Sequence, residues 1–239
     1  MLYAVRRLVD PFLVEVDAIL GATYTAILFG SAARGDYVPG HSDVNLMLIV
    51  ERADPASLAR LAPGFSRWRR AMPVLPLVLS RDEWLHGSDV FPIEICDLRA
   101  AHQVLRGPDL VSQVRADPAD LRRALEKEFR GKLLRLRQRY LTHGEKKLGD
   151  WAGTTIPAIV VFLRCLLILV NRPAPADPRA VIDNAGALVG FDPAPVLRVL
   201  ACRVSRGASL GGRDFEGYLD AVDRTARFTD QLQLGDQHS

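Results

Sequence analysis

The sequence predicts an α+β fold: a mixed sheet with flanking helices over residues 1–105, followed by a helical bundle over residues 106–239. Three observations carry that expectation. Segments rich in β-branched and aromatic residues alternate with helical spacing only in the first part of the chain. Beyond it, Asp117-Pro118, Asp177-Pro178 and Asp192-Pro193 each read as an N-cap followed by a proline at the first helical position, three separate helix starts. The 239 residues, 49% hydrophobic and 25% charged, suffice for one large domain or two modest ones with real cores, and exclude a disordered or collagen-like chain.

Residues 5–20 place Leu8, Phe12, Leu13, Val16 and Ile19 at helical spacing, with Pro11 either bending the helix or marking its start. Residues 22–29 (ATYTAILF) read as a first strand that stops at Gly30-Ser31. Residues 32–34 make one helical turn, and residues 36–42, with Pro39 and Gly40, a loop. Residues 43–50 (DVNLMLIV) read as a second strand. A helical pattern over 55–70 is interrupted at Pro63-Gly64, and residues 74–79 read as a third strand. Ser80 and Glu83 have the spacing of a capping box, so a helix begins there. Residues 91–98 (FPIEICDL) read as a fourth strand, Pro92 suiting an edge position. In the second half, Leu121, Leu125, Phe129, Leu133, Leu136 and Tyr140 form an i, i+4 stripe. Residues 213–232 make a last helix with Phe215, Leu219, Val222 and Phe228 facing inward.

The charge balance, 31 basic against 28 acidic residues for a net +3, argues against a surface built to coat nucleic acid. A basic stretch does run from Arg122 to Lys146 and Lys147. It reads as a solvated face opposite the leucine stripe, the alternative being a wall that attracts a triphosphate or nucleic acid. Cys96, Cys165 and Cys202 are odd in number, widely spaced and set among apolar residues, which points to a reduced, cytoplasmic compartment. No signal-peptide run follows residues 1–7. The most apolar stretch, residues 156–170, contains Arg164 and falls short of the ~20 residues a bilayer span needs. It reads as a buried core helix, and no membrane partner is expected.

The segment from Leu28 to Leu46 carries the chemistry. A strand ending in Gly30-Ser31 and turning into a helix lets backbone N–H groups approach an anion closely. Ser31 adds a hydroxyl, and Arg34 a fixed positive charge one turn on. Asp43 and Asn45 then share one face of the next strand, because side chains alternate with period two. Two oxygen-bearing side chains beside a phosphate cradle are what holding Mg²⁺ against a nucleotide requires.

These residues resemble the nucleotidyltransferase superfamily of DNA polymerase β-like fold, whose pattern is Gly-Ser, a spacer, then Asp-x-Asp or Asp-x-Glu on a hydrophobic strand. The run FGSAARGDYVPGHSD is most similar to the minimal nucleotidyltransferases and aminoglycoside adenylyltransferases. Those pair an α+β catalytic domain with a C-terminal helical bundle. The resemblance implies Mg²⁺-dependent transfer of a nucleoside monophosphate, AMP from ATP or the equivalent from another NTP, to a hydroxyl of a small molecule or protein. Gly30, Ser31 and Arg34 would hold the phosphates. Asp43, Asn45 and Glu94 would hold the metal, Glu94 would also take the hydroxyl's proton, and the bundle would supply the acceptor pocket. The family's third acidic residue falls on Glu94 or Asp97. On a strand these face opposite ways, and the Asp97 face, shared with Phe91, Ile93 and Ile95, looks like core, which favours Glu94.

One position departs from the family: Asn45 stands where the second metal carboxylate belongs. An amide oxygen can ligate Mg²⁺ but brings no charge. Loss of even an outer partner at a metal site costs ~10–100-fold. A second implication therefore stands beside the first: a catalytically impaired member of the fold, acting as a nucleotide sensor or partner-binding module. Either is compatible with a homodimer in which the bundle completes the cleft.

Overall fold

The alternating apolar pattern of the first half resolves into one four-stranded sheet covered on both faces. The computed structural model describes residues 3–40, 42–144, 148–204 and 210–234; His41, Lys146 and Lys147 lie outside them. Two units form, Met1–Ala116 and Asp117–Ser239. The first runs α1 (Tyr3–Leu20), β1 (Tyr24–Phe29), α2 (Ser31–Arg34), β2 (Asn45–Val50), α3 (Pro55–Ala71), β3 (Leu77–Ser80), α4 (Arg81–His86), α5 (Pro92–Ala100) and β4 (His102–Arg106). The strand order is β3-β2-β1-β4. β1 lies antiparallel to both β2 and β4, and β2 parallel to β3.

The period-two alternation sorts side chains into two cores. Ala26, Leu28, Leu46, Leu48 and Val50 pack with Val9, Phe12 and Leu13 of α1 and Leu61 and Trp68 of α3. Ile27, Met47 and Ile49 pack on the opposite face with Trp84 of α4, Ile95 and Leu98 of α5, and Leu110, Val111 and Val114 of the loop after β4. Burying each such Leu, Ile or Val contributes ~1.5–3 kcal/mol, so the central strands specify their own register. The Pro63-Gly64 pair does not break α3. Gly64 is where α3 comes against α1: a Cβ there would lie 3.0 Å from Glu15 Oε2 and 3.7 Å from the Phe12 ring. The capping box forms as expected, with Ser80 Oγ accepting from Glu83 N and Ser80 N donating to Glu83 Oε2.

The expected fourth strand is corrected. Residues 91–98 do not form a strand; Pro92–Ala100 is helix α5, with Pro92 in its first turn. Proline there is a helix-starting residue, since its missing N–H would have no intrahelical partner. Pro92, Ile93, Ile95, Cys96, Asp97 and Leu98 are all buried, so this helix is apolar nearly all round and shows no amphipathic period. The actual fourth strand, His102–Arg106, is short and mostly half-buried. Because β4 and the loop behind it belong to the sheet, the first unit extends to Ala116.

The second unit consists, among the described residues, of α6 (Pro118–His143), α7 (Leu148–Leu169), α8 (Pro178–Val189), α9 (Pro193–Val204) and α10 (Gly212–Gln231). Asp117, Asp177 and Asp192 accept from the backbone N–H groups of Ala119, Arg179 and Ala194, as the three Asp-Pro starts require. The α6 stripe is buried from Leu121 to Leu136, and Tyr140 stacks on Phe215 at 5.5 Å. α7 is long and apolar enough to cross a bilayer, but 61% of its most apolar window is buried inside the protein, as in a core helix. On α10 the buried face turns toward Tyr218, Thr225 and Thr229, and Leu219 and Phe228 are only half-buried. The basic stretch on α6 is largely paired within the chain: Arg123 with Asp120, Arg122 and Arg130 with Glu126, Arg130 also with Asp230, and Arg137 with Asp223. That pairing favours the solvated-face reading.

The sheet unit has one sharp backbone constraint. Gly107 has φ of 71°, and a Cβ there would lie 2.3 Å from the Tyr24 carbonyl oxygen. Gly107→Ala combines left-handed strain with a backbone clash, so a loss of at least ~2 kcal/mol is expected. Urea unfolding followed by tryptophan fluorescence measures it; stability within experimental error of the wild type would show that the turn relaxes freely.

Candidate functional site

The chemistry-bearing residues of the sequence converge on one end of the sheet. Phe29, the last residue of β1, pairs with Asn45 on one side and His102 on the other. Directly opposed residues project to the same face, so Asn45, Phe29 and His102 form a row on the face that α4 and α5 cover. Asp43 precedes β2, but the alternation continues through it: Val44 is buried while Asp43 and Asn45 are half-buried. Asp43 and Asn45 thus share the face of Met47 and Ile49, against which α5 packs.

Gly30 makes the turn possible. Its φ of 70° and ψ of −152° are open only to glycine. A Cβ at this position would lie 2.5 Å from Asn45 Nδ2 and 3.5 Å from Asn45 Cγ. The carboxamide of Asn45 therefore fills the space beside the turn that a side chain at 30 would need. Ser31 opens α2, whose single turn closes through Arg34 N and Gly35 N donating to Gly30 O and Ser31 O.

Arg34 does not extend toward the solvent. Its Nη1 donates to Asp97 Oδ1 at 2.9 Å, and its Nε stands 3.5 Å from Asp36 Oδ1. The Arg34 and Asp97 side chains are 9% and 7% exposed. The one charged side chain expected to meet a phosphate thus ties α2 to α5. Glu94 lies in the first turn of α5 and is exposed. On a helix, positions 94 and 97 are neighbours on the surface and not on opposite faces. The expectation that Glu94 projects from a strand is thereby corrected; Asp97 is the buried one of the two.

His102 was given no role by the sequence, because the strand that carries it was not recognised. Its Nδ1 donates to Leu98 O at 2.8 Å, and its Nε2 stands 3.4 Å from Asp109 Oδ1. Burial pushes the Asp109 carboxyl upward, but the N–H groups of Val111 and Ser112 and the charge of His102 outweigh it and hold it below its ordinary range.

No family model matches the sequence, and no curated protein matches it. Among solved structures, the chain is similar to the crystal structure of spectinomycin adenyltransferase AAD(9) from Enterococcus faecialis with ATP and spectinomycin. The TM-score is 0.55 at 13% sequence identity, over 97% of this chain and 100% of that one. The likeness shows the fold: an α+β unit with a mixed four-stranded sheet and helices, then a C-terminal helical region.

The resemblance of the Gly30–Asn45 segment implies a divalent metal. Asp43 and Asn45 offer two oxygen ligands of the hard type Mg²⁺ prefers, one of them neutral. Of the acidic residues of α5, Glu94 is exposed and Asp97 accepts from Arg34. Among the described residues no three His, Cys, Asp or Glu side chains group closely enough to hold an ion. Asp43, Asn45 and Glu94 are oxygen donors of the type Mg²⁺ takes, with one carboxylate fewer on the strand than the family pattern has.

Two predictions follow from this geometry. Arg34→Ala removes the guanidinium from which the buried Asp97 carboxylate accepts and is expected to cost ~3 kcal/mol. Asp97→Asn should cost less, because the amide oxygen still accepts from Nη1. Denaturant unfolding of both variants checks this; small, equal losses would show that the pair does not hold α2 to α5. Asp109, with its folded pKa below the unfolded ~3.9, stabilises the protein above that value. The benefit is lost as pH falls through the folded value. The stability difference between wild type and Asp109→Asn should therefore shrink below about pH 4, as read from unfolding midpoints against pH.

Proposed function

We propose that this protein binds a nucleoside triphosphate, ATP in the first instance, at the Gly30–Asn45 end of the sheet. It acts there as a nucleotide sensor or partner-binding module of the cytoplasm, without efficient nucleotidyl transfer. ATP is the first ligand to test because the AAD(9) structure contains it. The observation that carries the reading is Asn45: the second acidic ligand of the family pattern is an amide. The Gly30 turn supports the binding half of the proposal. It is a position kept free of a Cβ, where backbone can approach a ligand closely. The free thiols of Cys96, Cys165 and Cys202 support a reducing compartment.

A second reading is supported by the likeness to AAD(9), which runs over nearly the whole chain. In it, the protein transfers AMP from ATP to a hydroxyl of a small molecule or protein. Neither reading assigns the acceptor.

Calorimetry with ATP, paired with a transfer assay using ATP labelled at the α-phosphate, separates the two. Spectinomycin, a panel of aminoglycosides and the protein itself serve as acceptors. The expected outcome is saturable binding with a Kd below ~1 mM and no labelled product. Labelled product from the wild type would establish the second reading. No saturable binding and no product would leave neither standing.

A further inference from the structure

We infer that the groove between α6 and α7 binds single-stranded nucleic acid, with Lys132, Arg135 and Arg139 holding phosphates and Trp151 offering its ring to a base. The surface belongs wholly to the second unit, and the inference stands apart from the nucleotide-binding reading above.

The pairing of the basic stretch is concentrated on one flank of α6. On the flank that meets α10, Arg130 pairs with Asp230 and Arg137 with Asp223, and Arg122 donates to the Thr229 and Asp230 carbonyl oxygens. Lys132, Arg135 and Arg139, at i, i+3 and i+7, share the other flank. Three contacts set that flank against α7 in antiparallel register. The Lys132 ammonium stands 5.9 Å from the centroid of the Phe162 ring, Arg139 Nη1 donates to Thr154 Oγ1 at 3.5 Å, and His143 meets Trp151 edge to face at 4.8 Å.

The chain does not neutralise these cations. Among the described residues none of the three makes an ion pair, whereas Arg122, Arg123, Arg130 and Arg137 all do. α6 has no acidic residue after Glu128, and α7 has none from Thr154 to Phe162; Asp150 sits in the first turn of α7, at the His143 end. Burial and the charge of Arg135 push the Lys132 ammonium below its ordinary range, against the opposing pull of Glu128. Like charges are thus held together on this flank, and an anion laid along it relieves their repulsion.

The layout selects the partner. The three cations span about 10 Å along the helix axis, a row that suits a chain of anions over a single one. Arg135 and Arg139 are exposed, and a guanidinium fork matches phosphate oxygens. The half-buried indole of Trp151 stands at one end of the row. Cations in line with an aromatic ring are the combination that single strands use, phosphates on the charges and a base on the ring.

The test is fluorescence anisotropy of a short labelled oligouridine titrated with the full chain over a series of salt concentrations. Three phosphate contacts predict a slope of about −2 for log K against log salt concentration. Arg135→Glu and Arg139→Glu should each bind at least ~10-fold more weakly than wild type at low salt. Lys127→Glu makes the same charge change on an exposed position of α6 outside the row, and should stay within about threefold of wild type. Absence of saturable binding at low salt overturns the inference. Losses no larger for Arg135→Glu and Arg139→Glu than for Lys127→Glu overturn it as well, since binding would then follow net charge and not the groove. Polyglutamate that displaces the labelled strand as well as unlabelled oligouridine does would reveal a surface for acidic polypeptide and overturn it too. The salt series and the polyglutamate competition need no variant, and decide the matter even where a substitution disturbs the helix.

Discussion

The buried ion pair between Arg34 and Asp97 is the interaction on which the site depends. A four-residue helix such as α2 cannot persist on its own, because a single turn fixes many dihedrals for few hydrogen bonds. Its position is set from two sides: covalently by β1, and by the guanidinium that reaches α5. Both partners are more than nine-tenths buried, where a charge without its counterion is strongly disfavoured. The pair therefore acts as a fixed strut. Through it the Gly30-Ser31 turn, the sheet end and the covering helix are held as one arrangement.

A second constraint meets the first at the same place. Gly30 adopts a conformation that only glycine tolerates, and Asn45 occupies the volume its missing side chain leaves. Each residue explains the other. The turn stays tight because position 30 has no Cβ, and the carboxamide lies against the turn because the space is open. The half-buried row of Asn45, Phe29 and His102 extends this edge across three strands, so the floor of the candidate site is sheet and its rim is the one-turn helix.

What the sequence disclosed follows from which signals are local. The central strands were legible because β1 and β2 are buried on both faces and read as continuous apolar runs, and the helix starts because Asp and Ser caps act within three residues. The Gly30-Ser31 turn and the shared face of Asp43 and Asn45 were legible for the same reason. Residues 91–98 were not. A helix buried nearly all round has no polar stripe to show its period, and its β-branched, proline-led composition imitates an edge strand. That one misreading carried others with it. It put Glu94 on a strand, gave Asp97 the opposite face, and hid His102 by absorbing the segment before it. The Arg34–Asp97 contact joins residues 63 positions apart, which no local pattern could announce.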